Sequence, residues 1–234
     1  MKSNLFENFL TNSNIKKKVD SEWNLINEEF ELVNLEIEKL YSKKGLLKIF
    51  SKQKIMRRRE LSFHDHIKLL GYLALECKDL EGDILEIGVW KGKSLALMDR
   101  MSPKSTKIFG IDPCVMTGQE FELREFLNRL VPEAKIIVDF SENAFMSIKD
   151  LINKIKILHI DGSHFEKNVW SDFLLYSKFV TSRGYIVFDD YNDHFHSPEV
   201  KLAVDGMLNK NLFNDFEILG VLKQFSNSFV IQKK

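Results

Sequence analysis

The sequence has few cysteines, no excess of charge and no long apolar run, and each of these absences excludes a class of protein. The two cysteines among the 234 residues, Cys77 and Cys114, lie far apart, form no metal-ligand pair and favour a reducing compartment over a disulfide framework. The 34 basic and 34 acidic residues cancel, so the chain as a whole has no polyanion-binding signature. No stretch reaches membrane-spanning length, and the first residues are polar. We therefore expect a cytoplasmic protein without a secretion signal.

The composition predicts one main domain with an extension in front of it. The chain of 234 residues is 44% hydrophobic, which is enough for a buried core. We expect residues 1–60 to form a helical extension with a basic segment, and residues 61–234 to form the main domain. In the extension, apolar side chains recur at spacings of three and four, at Trp23, Ile26, Phe30, Val33, Ile37 and Leu40. This pattern predicts an amphipathic helix that packs on the main domain or, in a homo-oligomer, on its copy.

A basic segment follows the predicted helix. Between Lys43 and Arg59, lysines and arginines recur without an acidic residue, and apolar residues lie among them. Three interpretations are open: a solvated connector, a peripheral contact with an anionic membrane, or a patch that binds a phosphorylated substrate.

In the rest of the chain, short apolar segments alternate with helical ones. The predicted strands are 84–87, 107–111, 135–138, 155–160 and 185–188, and the predicted helices between them are 93–101, 119–130, 142–152 and 166–179. Such alternation indicates a parallel sheet with helices on both faces. Two more apolar segments, 216–222 and 228–232, have no helix between them and predict an antiparallel hairpin that closes the sheet. The sequence therefore predicts an α/β fold.

One stretch, Asp83-Ile-Leu-Glu-Ile-Gly-Val-Trp-Lys-Gly-Lys-Ser94, combines a buried strand, a glycine-bearing loop and the start of a helix. Gly88 and Gly92 permit positive φ and leave room for a nucleotide-like ligand to approach the backbone. Glu86 places a carboxylate near the mouth of this loop. The strict dinucleotide fingerprint G-x-G-x-x-G is absent, so a plain strand-to-helix turn is the alternative interpretation.

Each of the five predicted parallel strands ends at an acidic residue. These are Glu86, Asp112, Asp139, Asp161 and the pair Asp189 and Asp190. In open α/β sheets, ligands bind beyond the carboxyl ends of the strands. A single acid there is often a helix cap, which is the alternative role for Asp139 and for the nearby Ser141. Asp112 follows the glycine loop by about 20 residues, where an acid accepts hydrogen bonds from ribose hydroxyls.

Three of these acids, Asp161, Asp189 and Asp190, come from neighbouring strands and are expected to converge. Their mutual repulsion predicts a divalent cation, and ligation by oxygen alone favours magnesium, manganese or calcium over zinc. His164 lies three residues after Asp161 and is a candidate general base. The alternative is a histidine at a helix N-terminus that bonds a backbone group. His194 and His196, in the loop after Asp190, are further candidates for the base.

These segments resemble class I S-adenosylmethionine-dependent methyltransferases. The resemblance rests on the strand order, on the loop at 85–94 and on Gly110-Ile-Asp-Pro113. Later segments narrow the resemblance to a metal-dependent O-methyltransferase branch that includes macrolide-sugar methyltransferases and the cephalosporin-hydroxylase-like group. These segments are His159-Ile-Asp-Gly-Ser-His164 followed by Val169 and Asp172, Gly184-Tyr-Ile-Val-Phe-Asp-Asp-Tyr191, and Val200-Lys-Leu-Ala-Val-Asp205. The resemblance covers about residues 61–232 and implies a Rossmann-like, seven-stranded, mostly parallel sheet with an antiparallel last strand.

The resemblance also implies roles for individual residues. S-adenosylmethionine would be bound by Glu86, Gly88, Val89, Gly92 and Ser94 on its methionine side, by Asp112 at the ribose, by Asp139 and Ser141 near the adenine, and by Asp161. A cation such as magnesium would be held by Asp161, Asp189 and Asp190, with His164 and Asp161 as the catalytic residues. Trp90 replaces a glycine of the commoner family pattern, which predicts a bulky wall beside the loop.

The function that these residues and the resemblance imply is divalent-cation-assisted methyl transfer from S-adenosylmethionine to a hydroxyl of a sugar or another small-molecule diol. One alternative is a different reaction on the same scaffold, such as hydroxylation. Another is a nucleotide-binding partner subunit without catalysis. A nucleic-acid substrate is not expected, because the net charge is zero.

Overall fold

The computed structural model describes residues 13–43, 65–221 and 228–234, with side chains described for 22–40, 66–221 and 228–234. The helices are α1 (Ser13–Lys43), α2 (Asp65–Glu76), α3 (Lys93–Met101), α4 (Gln119–Leu130), α5 (Ser141–Ile148), α6 (Glu166–Tyr176) and α7 (Pro198–Asn209). The strands are β1 (Asp83–Ile87), β2 (Ile108–Ile111), β3 (Lys135–Ile137), β4 (Ile155–Ile160), β5 (Val180–Phe188), β6 (Phe216–Val221) and β7 (Phe229–Lys233).

Within the described residues, the strands form one seven-stranded sheet in the order β3-β2-β1-β4-β5-β7-β6. Strands β1 to β5 pair in parallel, and β7 runs antiparallel to both of its neighbours. The predicted α/β class, the Rossmann-like mostly parallel sheet and the antiparallel last strand are confirmed. The strand order reverses between β1 and β4, and in this type of sheet a reversal opens the crevice where ligands bind.

Alternation along each strand divides the core into two layers. Ile84 and Ile157 face the cluster formed with α1, α2, α3 and α4, whereas Leu85 and Leu158 face the cluster formed with α5, α6 and α7. Because both faces of the sheet are covered, the central strand β4 is buried along its whole length. Helices on both faces leave the carboxyl edge of the sheet as the exposed place for a site.

The N-terminal helix packs on the chain's own α2, α3 and α4. Its apolar stripe, at Ile26, Phe30, Val33, Ile37 and Leu40, is buried in the same core cluster as those helices. Two ion pairs join it to the domain, from Glu29 to Arg100 and from Glu36 to Arg129, both at 2.7 Å. Of the two predicted places for the stripe, the structure shows the one within the chain.

Element boundaries differ from the predictions at a few places. Helix α5 ends at Ile148, and a turn carries the chain to Ile152, which is still buried. Strand β5 begins earlier than predicted, at Val180, because an irregular pairing with β4 includes polar residues that the apolar pattern does not reveal. Apart from Lys43, the basic segment predicted up to Arg59 lies outside the described residues. None of the described helices has the length and apolar composition needed to cross a bilayer.

Because α1 packs on the domain, two adjacent residues of this helix differ in burial. Ile26 is fully buried, whereas Leu25 is 44% exposed. We expect Ile26→Ala to lower the free energy of unfolding by about 2–5 kcal/mol, since it leaves a cavity between α1 and the domain. Leu25→Ala, the matched control, should change it by no more than about 0.5 kcal/mol. Urea unfolding measures both, and equal losses would contradict the docked position of α1.

Candidate active site

Backbone hydrogen bonds of the parallel sheet continue one residue past the strands and place the site residues. The first residue after each of four strands donates its N–H to the last residue of a neighbouring strand: Gly88 to Ile111 at 2.8 Å, Asp112 to Ile137 at 3.2 Å, Asp161 to Ile87 at 2.8 Å and Asp189 to Ile160 at 3.0 Å. These bonds fix the height of each residue along the sheet. Three predicted site carboxylates therefore leave the sheet at one edge.

The glycine loop after β1 lies directly against the end of β4. Gly88 has a φ of 89°, and a Cβ at this position would lie 1.9 Å from the carbonyl oxygen of Asp161. A side chain at this position is therefore excluded both by the backbone conformation and by the neighbouring strand. Trp90, in the same loop, has a φ of 51°, which is unusual for a bulky residue and is typical of functional sites.

Asp112 holds the loop in this shape. Its Oδ2 accepts the backbone N–H of Trp90 at 2.7 Å, and its Oδ1 accepts the N–H of Cys114 at 2.7 Å and the Nε2 of Gln119 at 2.9 Å. A carboxylate offers about four lone-pair positions, so one is left for a ligand hydroxyl. Asp112 therefore couples the loop after β1 to the loop after β2 and still faces the cleft.

Glu86 is buried behind the loop, at the centre of a polar network. Its Oε1 accepts the hydroxyl of Ser94 and lies 2.7 Å from Nδ1 of His159, while its Oε2 has no hydrogen-bond partner among the described residues. Glu86 and His159 are both almost completely buried. This network ties the start of α3 to β4, directly beneath the converging acids.

The acids after β4 and β5 lie close enough to perturb each other. Burial and the negative charges of Asp189 and Asp190 raise the pKa of Asp161 well above its usual range. Burial and the charge of Asp189 also raise the pKa of Asp190. For Asp189, burial is outweighed by His66, by His159 and by a hydrogen bond from Ser228, so its pKa is lowered. The cluster thus contains more negative charge than its own donors neutralise.

His164 is joined to Asp190 both directly and through Ser197. Its Nε2 lies 3.3 Å from Oδ2 of Asp190, and its Nδ1 lies 2.7 Å from Oγ of Ser197. The hydroxyl of Ser197 also lies 3.3 Å from Oδ2 of Asp190. When it donates to Asp190, its oxygen accepts Nδ1–H of His164 and the lone pair of the neutral ring is on Nε2. When it donates to Nδ1, the proton of the ring is on Nε2 and faces Asp190.

A cleft of about 750 Å³ opens at this edge of the sheet. Of the predicted site residues, nine line it: Gly88, Val89, Ser94, Asp112, Ser141, Asp161, His164, Asp189 and Asp190. Glu86, Gly92 and Asp139 do not line it. The carboxylate of Asp139 lies at the start of α5 and accepts from the N–H of Phe140 at 2.7 Å and from Asn143 at 3.0 Å.

Several side chains of the cleft were not predicted from the sequence. Besides Trp90, which the sequence predicted as a bulky wall, partly exposed apolar residues line the cleft from the loops after β2, β3 and β4: Val115, Met116, Phe140 and Phe165. His66 of α2 also lines the cleft, with Nε2 3.6 Å from Oδ2 of Asp189, and Ser228 donates to the other oxygen of Asp189 at 2.8 Å. Ser197, which stands before Pro198 at the start of α7, had a sequence signal as a helix cap, whereas His66 and Ser228 had none.

Comparison with known proteins agrees with this geometry. Residues 85–191 match the model of a family described as a methyltransferase domain. The protein R132 of Acanthamoeba polyphaga mimivirus is 35% identical over 169 residues, which make up 68% of this chain and 76% of R132. The chain belongs to the class I S-adenosylmethionine-dependent methyltransferases. The resemblance predicted from the loop and from the acid-bearing segments is confirmed.

Solved structures share the fold of this methyltransferase at low sequence identity. The O-methyltransferase from Bacillus cereus in complex with SAH has a TM-score of 0.58 and 14% identity, and the match covers 89% of this chain and all 100% of that one. CalS11, described as a TDP-rhamnose 3′-O-methyltransferase of calicheamicin biosynthesis, has a TM-score of 0.59 and 12% identity, with coverage of 86% and 93%. At such identities the likeness shows the fold.

Among the residues that the structure describes, two groups of side chains could hold a metal ion. One consists of His159, Asp161 and Asp189, and the other of Asp161, His164 and Asp190. In each group the candidate ligand atoms all lie within 4.8 Å of one another, and Asp161 belongs to both. A cation would supply the positive charge that the raised pKa values of Asp161 and Asp190 show to be lacking.

The close approach of Gly88 to Asp161 yields a test of the loop. We expect Gly88→Ala to lower the free energy of unfolding by at least about 2 kcal/mol and to abolish binding of S-adenosylmethionine, because both backbone strain and overlap oppose the new methyl group. The matched control is Gly162→Ala, where the nearest atom to a Cβ is a side-chain methyl of Ile87 at 3.1 Å. Thermal unfolding and calorimetric titration compare them. Equal stability of the two variants would contradict the described loop.

The helix that carries Ser141 rests on a buried carboxyl group. Asp172 of α6 is 1% exposed, and burial raises its pKa from 3.8 to about 7, although a hydrogen bond with Ser141 opposes this rise. Its Oδ1 has no hydrogen-bond partner within the described part of the chain. Nearby, the hydroxyl of Tyr176 donates to the carbonyl oxygen of Ser141 at 2.6 Å. Helix α6 thus supports the start of α5 through two side chains, and the charge of one of them, Asp172, depends on pH.

The raised pKa of Asp172 predicts how stability depends on pH. Between about pH 4 and pH 7 the native state holds a proton that the unfolded chain has released, so the free energy of unfolding falls as the pH rises and is level above pH 7. Asp172→Asn should therefore be more stable than the unmodified protein at pH 8, by roughly 2–4 kcal/mol, and little different near pH 4. Urea unfolding at both pH values checks this, with the exposed Asp150→Asn as the control. A difference in stability between Asp172→Asn and the unmodified protein that is the same at both pH values would contradict the raised pKa of Asp172.

Proposed function

We propose that this methyltransferase transfers the methyl group of S-adenosylmethionine to a hydroxyl oxygen of a sugar, or of another small molecule with neighbouring hydroxyls, with the help of a divalent cation. The observation that carries the proposal is the position of Asp161, Asp189 and Asp190 beside His164, in the same cleft as the glycine loop. A hydroxyl acceptor needs a group that lowers its pKa and a group that takes its proton. The acid cluster and the histidine supply a place for each.

The cation would be held among Asp161, Asp189 and Asp190, and when bound it would lower the pKa of the acceptor hydroxyl and orient it. The side chains of these residues fit a cation, because their negative charges converge, and burial together with that convergence raises the pKa values of Asp161 and Asp190. CalS11, whose fold this chain shares, is described as acting on a sugar nucleotide, which supports a sugar as the acceptor class here.

His164 would act as the general base. With Ser197 donating to Asp190, its oxygen would accept Nδ1–H and orient the ring, and Nε2 would take the proton of the acceptor hydroxyl. As that O–H bond breaks, the acceptor oxygen forms a bond to the methyl carbon and the bond from the methyl carbon to sulfur breaks. The positive charge of the sulfonium is lost, and the proton remains on His164. Positioning of the two reactants in one cleft provides much of the rate enhancement.

The proposal is tested by methyl transfer to nucleotide-linked sugars and to simple vicinal diols, with and without added divalent cation after treatment with a chelator. We expect product only with the cation present. Asp190→Asn should lower kcat at least about 100-fold while the Kd for S-adenosylmethionine is unchanged, because Asp190 lies on the acceptor side of the cleft.

The role of His164 is tested separately. His164→Gln should lower kcat by about 10²–10⁴-fold. The matched control is His196→Gln, since His196 is exposed, pairs with Asp193 at 3.0 Å and does not line the cleft. Turnover that persists in His164→Gln but falls in His196→Gln would overturn the assignment of the base. Full turnover in the presence of a chelator would overturn the role of the cation.

A further inference from the structure

His159 lies beneath the acid cluster and is fixed by a carboxylate from the next strand. Its side chain is 1% exposed, and Nδ1 lies 2.7 Å from Oε1 of Glu86, which also accepts the hydroxyl of Ser94. An ionised carboxylate only accepts hydrogen bonds, so Nδ1 carries the proton in this contact. The lone pair of the neutral ring is then on Nε2.

The Nε2 atom of His159 is buried and has no hydrogen-bond partner within the described ranges. A ring nitrogen of His159 and carboxylate oxygens of Asp161 and Asp189 all lie within 4.8 Å of one another, and Nε2 is the nitrogen not already used by Glu86. In either protonation state, this nitrogen makes no hydrogen bond to the carboxylates beside it. A buried ring nitrogen without a partner is unfavourable, so a ligand that satisfies it is expected.

A metal ion satisfies all three groups at once. Histidines that bind metals generally donate their other ring N–H to a carboxylate, which fixes the tautomer and the ring orientation. The pair of Glu86 and His159 has this arrangement. Ligand atoms at about 2.0–2.2 Å from a metal lie roughly 3–4 Å from each other, which agrees with the spacing of the three side chains.

The second group, with Asp161, His164 and Asp190, is different in its surroundings. The side chain of His164 is 43% exposed, and its Nε2 already lies beside Asp190. His164 is therefore open to the cleft, where an acceptor molecule would bind, whereas His159 is buried behind the acids. The inner group, which contains His159, is therefore suited to a metal, and the outer group, which contains His164, is suited to proton transfer.

We infer that His159 is a nitrogen ligand of the divalent cation, together with Asp161 and Asp189, and that the site selects a transition metal such as Mn²⁺, Fe²⁺ or Co²⁺ over Mg²⁺. This inference rests on the cation in the proposed function and adds His159 to the carboxylates named there. Oxygen-only sites suit magnesium and calcium, whereas an imidazole ligand raises the affinity for the later divalent metals. Glu86 acts on the metal through His159 and is a positioning residue.

The experiment is pulsed electron paramagnetic resonance of Mn²⁺ bound to the chelator-treated full chain, which detects nitrogen coupled to the metal. We expect a nitrogen coupling that is lost in His159→Gln and kept in His164→Gln. In the first variant the imidazole nitrogen is removed, while an amide group remains in the buried polar network. The Kd for Mn²⁺ should rise about 10–100-fold in His159→Gln, and the preference for Mn²⁺ over Mg²⁺ should fall about 10-fold.

Binding of S-adenosylmethionine by each variant verifies that it is folded. If His159→Gln does not fold, the same spectrum is recorded for His164→Gln labelled with ¹⁵N-histidine. The nitrogen coupling must then change to that of ¹⁵N, which identifies a histidine other than His164 as the ligand. A coupling lost in His164→Gln instead of His159→Gln, or Mn²⁺ bound without any nitrogen coupling, would overturn the inference and leave the cation-assisted function standing. Methyl transfer without bound Mn²⁺ or any other divalent ion would overturn both.

Discussion

The backbone hydrogen bonds between neighbouring parallel strands are the constraint on which the site depends. They continue one residue beyond the strands, so Asp112, Asp161 and Asp189 are each anchored to the end of the next strand. The same constraint brings Gly88 against the carbonyl of Asp161, where a Cβ does not fit. The glycine loop and the acid cluster are therefore parts of one rigid edge of the sheet.

This arrangement concentrates negative charge, and the protein compensates for only part of it. Asp189 receives a hydrogen bond from Ser228 and lies near His66 and His159, which lowers its pKa. For Asp190, burial and the charge of Asp189 outweigh His164 and the hydrogen bond from Ser197, and its pKa is raised. Burial and the neighbouring acids also raise the pKa of Asp161. The imbalance is greatest where an acceptor hydroxyl would be activated. The buried negative charge of these carboxylates destabilises the fold, but it lies where the proposed reaction would use it.

The N-terminal helix is involved in this site as well as in the core. Ile37 lines the cleft, and the ring of Phe30 lies 4.3 Å from the ammonium group of Lys93, which follows the glycine loop. Burial lowers the pKa of Lys93 to about 8, so α1 changes the electrostatics at the start of α3. Ion pairs to Arg100 and Arg129 hold α1 in this position. Displacement of α1 would open the cleft and expose Lys93 to water.

Local patterns in the chain were sufficient to predict the sheet, the glycine loop and the strand ends that bear acids, because alternation, turn residues and strand ends leave periodic signals. They did not reveal that Glu86 turns inward to His159 or that His66 and Ser228 contact Asp189, and they left open which of two predicted places α1 packs on. Those contacts join residues that are far apart in the chain, and a side chain such as His159 looks the same in the sequence whether it fills a core or faces a metal. Its environment is decided by the pairing of β1 with β4, which only the folded chain establishes.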